Sequence, residues 1–268
     1  MTTWSARMGN GQGMRVLLTN DDGVFAAGLR ALARSLSEIA DVLVIAPERQ
    51  QSATGHAITL HKPLRMEPVE FDGVAEAFAS NGTPADCVIL GTVSDLPKPD
   101  VVVSGINAGA NLGEEVLYSG TVSAAMEAAL QGLPSVAVSV AAYTDVLYEG
   151  AATFARHLVR DLHSQRPLPA DTFLNVNVPN MPADKLLPPK LTRLGRRKYT
   201  NVLSKRVDPR GRPYYWFSGS PVESESSEGT DIAAVGSGHI SVTPIHFDVT
   251  GDLTDARLPR FVEGLRVR

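Results

Sequence analysis

Residues 17–24 read LLTNDDGV, so Asp21 and Asp22 stand side by side at the end of an apolar run. Two carboxylates at the exit of a buried strand repel each other, and the pair is tolerable where both reach water or where a cation lies between them. Three further segments carry donors of similar hard character. PERQQSATGH (47–56) offers the hydroxyls of Ser52 and Thr54, SGINAGANLG (104–113) offers Asn107 and Asn111 among three glycines, and SGT (119–121) opens an alanine-rich stretch. Carboxylates with hydroxyl and amide oxygens suit Mg²⁺, Mn²⁺ or Ca²⁺ rather than zinc. Ser119, Gly120 and Thr121 at a helix start supply unpaired N–H groups and the positive end of a helix dipole, which favour a phosphate. A hard cation beside a phosphate points to phosphoryl chemistry.

Each piece alone also has a plain structural explanation. Asp-Asp-Gly after a strand commonly forms a solvated turn, and SGT is an ordinary helix cap. The glycine spacing matches neither the dinucleotide fingerprint nor the P-loop. What raises the functional reading is that all four segments fall after strands or before a helix, at the edge where open parallel sheets bind ligands. The histidines give no compact zinc spacing: His56 and His61 flank AITL, and His239 and His246 lie in a late strand region. Cys87, the single cysteine, sits in the apolar run DCVILGTV and reads as a packing residue.

The elements that must position these residues follow from hydrophobic periodicity. MRVLLT (14–19), DVLVIAP (41–47), DVVVSG (100–105), PSVAVSV (134–140) and TFLNVNV (172–178) read as strands, several apolar throughout as expected when both sheet faces are covered. Between them, 27–39 places Leu29, Leu32, Ala33 and Leu36 on one helical face. Thr83, Pro84 and Asp86 form a capping-box start for a helix over 83–93. A helix over 121–132 stops at Gly132 and Pro134, and 149–165 is a further helix. The alternation predicts an α/β fold, a doubly wound, mostly parallel Rossmann-like sheet over 14–180. Residues 1–13 read as a disordered extension without the apolar stretch of a signal peptide. Residues 181–268 read as a hairpin around DPRG and one late strand, GHISVTPIHF, forming an oligomerisation arm rather than a second catalytic domain.

Bulk properties narrow the function. The chain has 268 residues, enough for a full core, and a net charge of −4 gives no global reason to expect a stable nucleic-acid partner. No apolar run approaches membrane-spanning length, and a single cysteine suits a reducing cytoplasm. Locally, residues 193–212 carry eight Lys or Arg against Asp208 alone, a charge of +7. The favoured reading of this segment is a solvated or intersubunit arm; the sharper one is attraction of anionic substrates such as nucleotides, short RNA or polyphosphate.

Five collinear motifs, TNDDG, APERQQSATGHAITL, NGTPADCV, SGINAGANLG and YSGTVSAAMEA, resemble SurE, the survival-protein family of nucleoside monophosphate phosphatases. The resemblance runs from Met14 to about residue 180, with GHISVTPIHFDVT similar to the family's C-terminal strand. It implies a metal-dependent 5′(3′)-nucleotidase, with exopolyphosphatase as a side activity, that is cytoplasmic and forms a homodimer or homotetramer through swapped C-terminal segments. It implies one divalent ion per subunit, Mg²⁺ or Mn²⁺, held by Asp21, Asp22, Ser52 and Asn107. Phosphate contacts fall on Asn111, Ser119, Gly120 and Thr121, and catalysis on Asp21, Asp22 and Asn111. Family members often have His where this chain has Tyr118. Two rival readings fit less well. A receiver-like signalling module needs an aspartate where DVVVSGIN has Asn107, and a sugar-nucleotide-dependent transferase usually spaces its acids, which here are adjacent.

Overall fold

The computed structural model describes residues 13–164, 168–199, 202–218, 221–224, 227–250, 254–255, 257–263 and 265. The expected disordered extension therefore lies, but for Gly13, outside the described residues. Strands of the first part are β1 (Arg15–Thr19), β2 (Asp41–Pro47), β3 (Met66–Pro68), β4 (Glu76–Ser80), β5 (Val101–Ala108), β6 (Ser135–Val140) and β7 (Thr172–Val178). Those that follow are β8 (Leu187–Leu191), β9 (Arg197–Tyr199), β10 (Val202–Val207), β11 (Pro213–Ser218), β12 (Pro221–Ser224) and β13 (His239–His246). The helices are α1 (Ala27–Leu36), α2 (Pro84–Val93), α3 (Gly120–Leu130), α4 (Tyr148–Ser164), α5 (Asp231–Gly236) and α6 (Arg257–Glu263).

Nine strands form one sheet in the order β3-β4-β2-β1-β5-β6-β7-β13-β8. Every pairing from β4 across to β7 is parallel, whereas β3 and β13 run antiparallel to β4 and β7. Alternation within the strands sends side chains to two apolar layers. Val16, Leu18, Val44 and Val103 meet Leu29, Leu32 and Leu36 of α1 and Ala155 and Val159 of α4. Leu17, Leu43, Ile45 and Val102 meet Cys87 and Val88 of α2 and Ala124 and Ala128 of α3. The sheet is thus doubly wound, as the continuous apolar runs require.

The helix signals act as the sequence indicates. Thr83 accepts from the Asp86 N–H while the Asp86 carboxylate accepts from the Thr83 N–H, a reciprocal capping box with Pro84 in the first turn. Helix α3 ends where Gly132 takes φ +76°, and the N–H groups of Gly132 and Leu133 return to Ala129 and Ala128. Helix α1 stops at Leu36, three residues before the expected end. The short strands β3, β4, β8, β9 and β12 lie outside the sequence expectation; β8 carries two adjacent prolines and all its residues are exposed.

Residues after 180 divide between the sheet and a projection from it. Strand β13 enters the main sheet beside β7 with β8 beyond it. Strands β10 and β11 form the antiparallel hairpin anticipated around DPRG, and the Asp208 carboxylate accepts from the Arg210 and Arg212 N–H groups at the turn. Among the described residues no helix is long and apolar enough to cross a membrane.

Gly28 sets the closest approach of a helix to the sheet. A Cβ there would fall 1.9 Å from the Ile106 carbonyl oxygen and 2.9 Å from Tyr148 Cε1. Gly28→Ala is expected to lower stability by about 1–3 kcal/mol, the cost of overpacking. Chemical denaturation measures it, and an unchanged midpoint would refute so tight a contact between α1 and β5.

Candidate active site

Strand order reverses at β1: β2 lies on one side and β5, reached after two helices, on the other. That switch point opens a crevice at the carboxyl ends of the strands. Asp21 and Asp22 follow β1 directly, and Asn107 closes β5 beside them. The register of β5 against β6 shifts between Ser104 and Asn107, an irregularity that re-aims the end of the strand. Gly105 permits it, since a Cβ there would meet the Val138 carbonyl oxygen at 2.3 Å.

The two aspartates occupy different surroundings. Asp21 is 5% exposed and receives the Thr121 hydroxyl from the first turn of α3. Gly120 makes this approach possible, because a Cβ there would come within 2.8 Å of Asp21 Cβ. Asp22 is half-buried; the Ala108 N–H donates to its Oδ2 at 3.2 Å and Gln50 Nε2 to its Oδ1 at 3.5 Å. Burial raises the Asp21 carboxyl from 3.8 to about 6, with the Thr121 hydroxyl opposing the rise and the Asp22 charge adding to it. Burial raises Asp22 as well.

A cleft of about 260 Å³ is lined by Asp21, Asp22, Gln50, Ser52, Asn107, Asn111, Ser119, Glu115, Tyr118 and Tyr143, with Ala53 and 108–110 between them. Ser52 arrives on the loop after β2, which is tied down at several points. The Gln51 N–H donates to the Asp21 carbonyl at 2.7 Å, the Gly55 N–H to the Tyr118 carbonyl at 3.0 Å, and His56 Nε2 lies 2.9 Å from Glu127 Oε2. His56 is therefore engaged with α3 and is not among the residues that line the cleft. Asn107 donates its Nδ2 to the Gly109 carbonyl at 2.8 Å, which orients the amide and leaves its oxygen as the end available to a ligand.

Asn111 is held more firmly still. Its N–H donates to Asn177 Oδ1 and its Nδ2 to Ser139 Oγ, and its carbonyl accepts from the Nδ2 groups of Asn175 and Asn177, all at 2.7–2.9 Å. Ser139, Asn175 and Asn177 are buried supports absent from the sequence reading. Their signal is an isolated polar residue, Ser139, in apolar β6 and two alternate ones, Asn175 and Asn177, in otherwise apolar β7.

Of the three residues at the α3 start, Ser119 lines the cleft and its Oγ accepts from the Val122 N–H as the helix cap. Gly120 and Thr121 are buried behind it, against Asp21, rather than on the cleft surface. The C-terminal part reinforces the same edge: the buried Asp231 carboxylate accepts from the Gly113 and Gly195 N–H groups at 2.8 and 2.7 Å. Arg197 Nη1 donates to Glu115 Oε2 at 2.8 Å, so part of the basic segment's charge is already matched. Cys87 is fully buried and burial pushes its thiol up to about 12, which makes it the packing residue expected.

The donor set suits a hard divalent cation. Two adjacent aspartates, a serine hydroxyl and an amide oxygen line one cleft with Glu115, and among the described residues no Lys or Arg lines it with them. Among the described residues no three His, Cys, Asp or Glu side chains gather as a metal site, so hydroxyl and amide oxygens would have to complete the set around the two aspartates. The two desolvated neighbouring carboxylates are short of positive charge, which a divalent cation bound between them would supply.

Fold and site together define a Rossmann-like α/β protein with an oxygen-rich crevice at its switch point. Residues 16–201 match the family model described as "Survival protein SurE". The chain is 52% identical over 239 residues to the 5′-nucleotidase SurE of Heliobacterium modesticaldum, covering 88% of each chain. It is 51% identical over 250 residues to the 5′-nucleotidase SurE of Geotalea uraniireducens, covering 92% of this chain and 99% of that one. A crystal structure of the SurE protein from Aquifex aeolicus superposes with a TM-score of 0.80 at 39% identity, over 93% of this chain and 99% of that one. The chain belongs to the SurE family.

The raised Asp21 carboxyl makes stability depend on pH in a definite direction. Between pH about 4 and about 6 the folded chain holds a proton that the unfolded chain has released, so the metal-free protein loses stability as pH rises through that window. Asp21→Asn in chelator is expected to exceed the parent in stability at pH 8 by on the order of 1–3 kcal/mol, the gap narrowing toward pH 4. Urea denaturation at both pH values reads it; a gap independent of pH would sink this account.

Proposed function

We propose that this protein is a divalent-metal-dependent phosphomonoesterase, a 5′-nucleotidase that hydrolyses nucleoside monophosphates to nucleoside and phosphate, with 3′-monophosphates as further substrates. The observation that carries the reading is the desolvated Asp21–Asp22 pair beside the start of α3, with no Lys or Arg lining its cleft among the described residues. Half-identical relatives named 5′-nucleotidase SurE support it over nine-tenths of the chain.

In this reading Asp21, Asp22, Ser52 and Asn107 hold one Mg²⁺ or Mn²⁺ per subunit. When bound there, the ion would supply positive charge to a phosphoryl oxygen and lower the pKa of nearby water. The chain's own residues then fix the reacting group. Ser119 and the second Nδ2 hydrogen of Asn111 offer donors to the phosphoryl oxygens, and the Gly120 and Thr121 N–H groups add the positive end of α3. The Thr121 hydroxyl also holds Asp21 in one orientation. The Ser139–Asn175–Asn177 network fixes Asn111 before substrate arrives, so little reorganisation is needed as charge redistributes. Hydrolysis breaks the bond between phosphorus and the ribose oxygen, which leaves carrying a proton, while water supplies the new oxygen on phosphorus.

Residues 181–268 are proposed to serve as the oligomerisation arm of a dimer or tetramer in the cytoplasm. The hairpin β10–β11 exposes Leu203, Val207, Tyr214, Tyr215 and Trp216, an apolar display that a partner subunit would cover.

A phosphate-release screen over nucleoside monophosphates is expected to give turnover with Mg²⁺ or Mn²⁺ and none with chelator. Asp22→Ala should lower kcat by roughly 100-fold or more while circular dichroism shows the fold intact. Near-normal turnover in that variant would exclude the acid pair from the chemistry. Light scattering is expected to give two or four times the 28.6 kDa chain mass; a monomer at all concentrations would remove the arm's assigned role.

A further inference from the structure

The cleft has a floor and a rim of opposite character. Asp21, Asn111 and Ser119 at its floor are 5%, 7% and 7% exposed, whereas Tyr143, which lines the same cleft, is 80% exposed. A nucleoside monophosphate has matching parts, a charged head and an aromatic disc. The floor is built for the head, and its polar, buried groups offer the disc no flat surface.

The backbone that leads to Tyr143 is tied down although the side chain is exposed. Tyr143 follows β6 on a turn where the Ala142 N–H donates to the Val140 carbonyl at 2.8 Å and the Ala141 N–H to the Val178 carbonyl at 2.9 Å. Its ring lies on the bare backbone of Gly109: a Cβ there would fall 2.4 Å from Cε1 and 3.1 Å from Cδ1 and Cζ. Gly109 has φ +117° and its N–H donates to the Val140 carbonyl at 3.0 Å, so strand end, glycine and ring form one unit. Gly109 stands midway between Asn107 and Asn111 in the chain, which places an aromatic ring next to the cation and phosphate positions. Tyr118, 66% exposed, also lines the cleft; it adjoins the helix cap Ser119, and its backbone carbonyl accepts from the Gly55 N–H.

We propose that Tyr143 is the specificity-determining residue that receives the nucleobase, by stacking of its ring on the base. The proposal rests on the nucleotidase reading above and adds to it what the chain recognises beyond phosphate. A flat aromatic surface accepts any base because every base has a π face. The protein accordingly discriminates nucleotides from simple phosphate esters while remaining tolerant among bases.

The test compares adenosine 5′-monophosphate with ribose 5-phosphate, which keeps the same head and sugar and lacks the base. Phosphate release is measured with Mn²⁺ on the full chain, and the ratio of kcat/KM for the two substrates is the readout. In Tyr143→Ala the ratio is expected to fall about tenfold, through KM for the nucleotide, and in Tyr143→Phe to stay within about twofold of the parent. Because the side chain is exposed, the alanine variant should keep the parent's thermal midpoint. An unchanged ratio in Tyr143→Ala, with both substrates still hydrolysed, overturns the proposal and leaves the nucleotidase reading standing. A ratio lost equally in Tyr143→Phe overturns it too, since the phenol hydroxyl rather than the ring would then carry recognition. Parent protein that releases phosphate from neither substrate overturns the nucleotidase reading and this proposal with it.

Discussion

Burial of the adjacent carboxylates Asp21 and Asp22 is the constraint around which this edge of the sheet is organised. Peptide geometry allows two adjacent carboxylates to point apart into water, yet Asp21 is almost wholly buried and Asp22 half so. Burying one such charge is costly and burying a neighbour beside it more so. The fold meets part of that cost with hydrogen-bond donors: the Thr121 hydroxyl on Asp21, and the Ala108 N–H and Gln50 amide on Asp22. Donors alone leave the carboxyls above their ordinary range, and the remaining deficit of positive charge is what a divalent ion would fill.

The same need explains the packing around α3. Its first turn is drawn against Asp21 because residue 120 lacks a side chain, and its alanines bring the helix close to the sheet on its far side. The helix start thus serves two anions, the buried carboxylate behind it and the phosphate proposed in front. Gly120 and Thr121 pack against the first, and Ser119 lines the cleft proposed for the second. A division of this kind gives the crevice a rigid back wall, because the group that orients Asp21 is itself part of a packed helix.

Rigidity is carried outward by polar contacts between distant segments. Asn111 is clasped by Ser139, Asn175 and Asn177 of two neighbouring strands, and Gly113 by Asp231 from the short helix before β13. Such buried networks favour one arrangement of the glycine-rich segment, here with Asn175 Oδ1 left without a partner among the described residues. The C-terminal residues are therefore not only an appendage: β13 lies in the main sheet, and Asp231 and Arg197 reach residues that shape the cleft. The β10–β11 hairpin beyond them pairs within itself and stands apart from that sheet.

The amino-acid sequence by itself determined the elements whose causes are local. Continuous Val and Leu runs made β1, β2, β5, β6 and β7, the Thr83–Asp86 box started α2, and Gly132 stopped α3 within a residue or two of expectation. The chemistry-bearing types in Asp21, Asp22, Ser52, Asn107, Asn111 and Ser119 were legible too, because hard oxygen donors cluster in few segments and those segments follow strands. Tertiary structure alone decided what depends on contacts between residues far apart in the chain. It placed Thr121 on Asp21, one hundred residues away, and set Ser139, Asn175 and Asn177 beneath Asn111. It also laid the Tyr143 ring on Gly109. Periodicity reports which face of an element is buried but not what it is buried against, so these partners, and the pKa shifts they produce, exist only once the sheet order has brought the segments together.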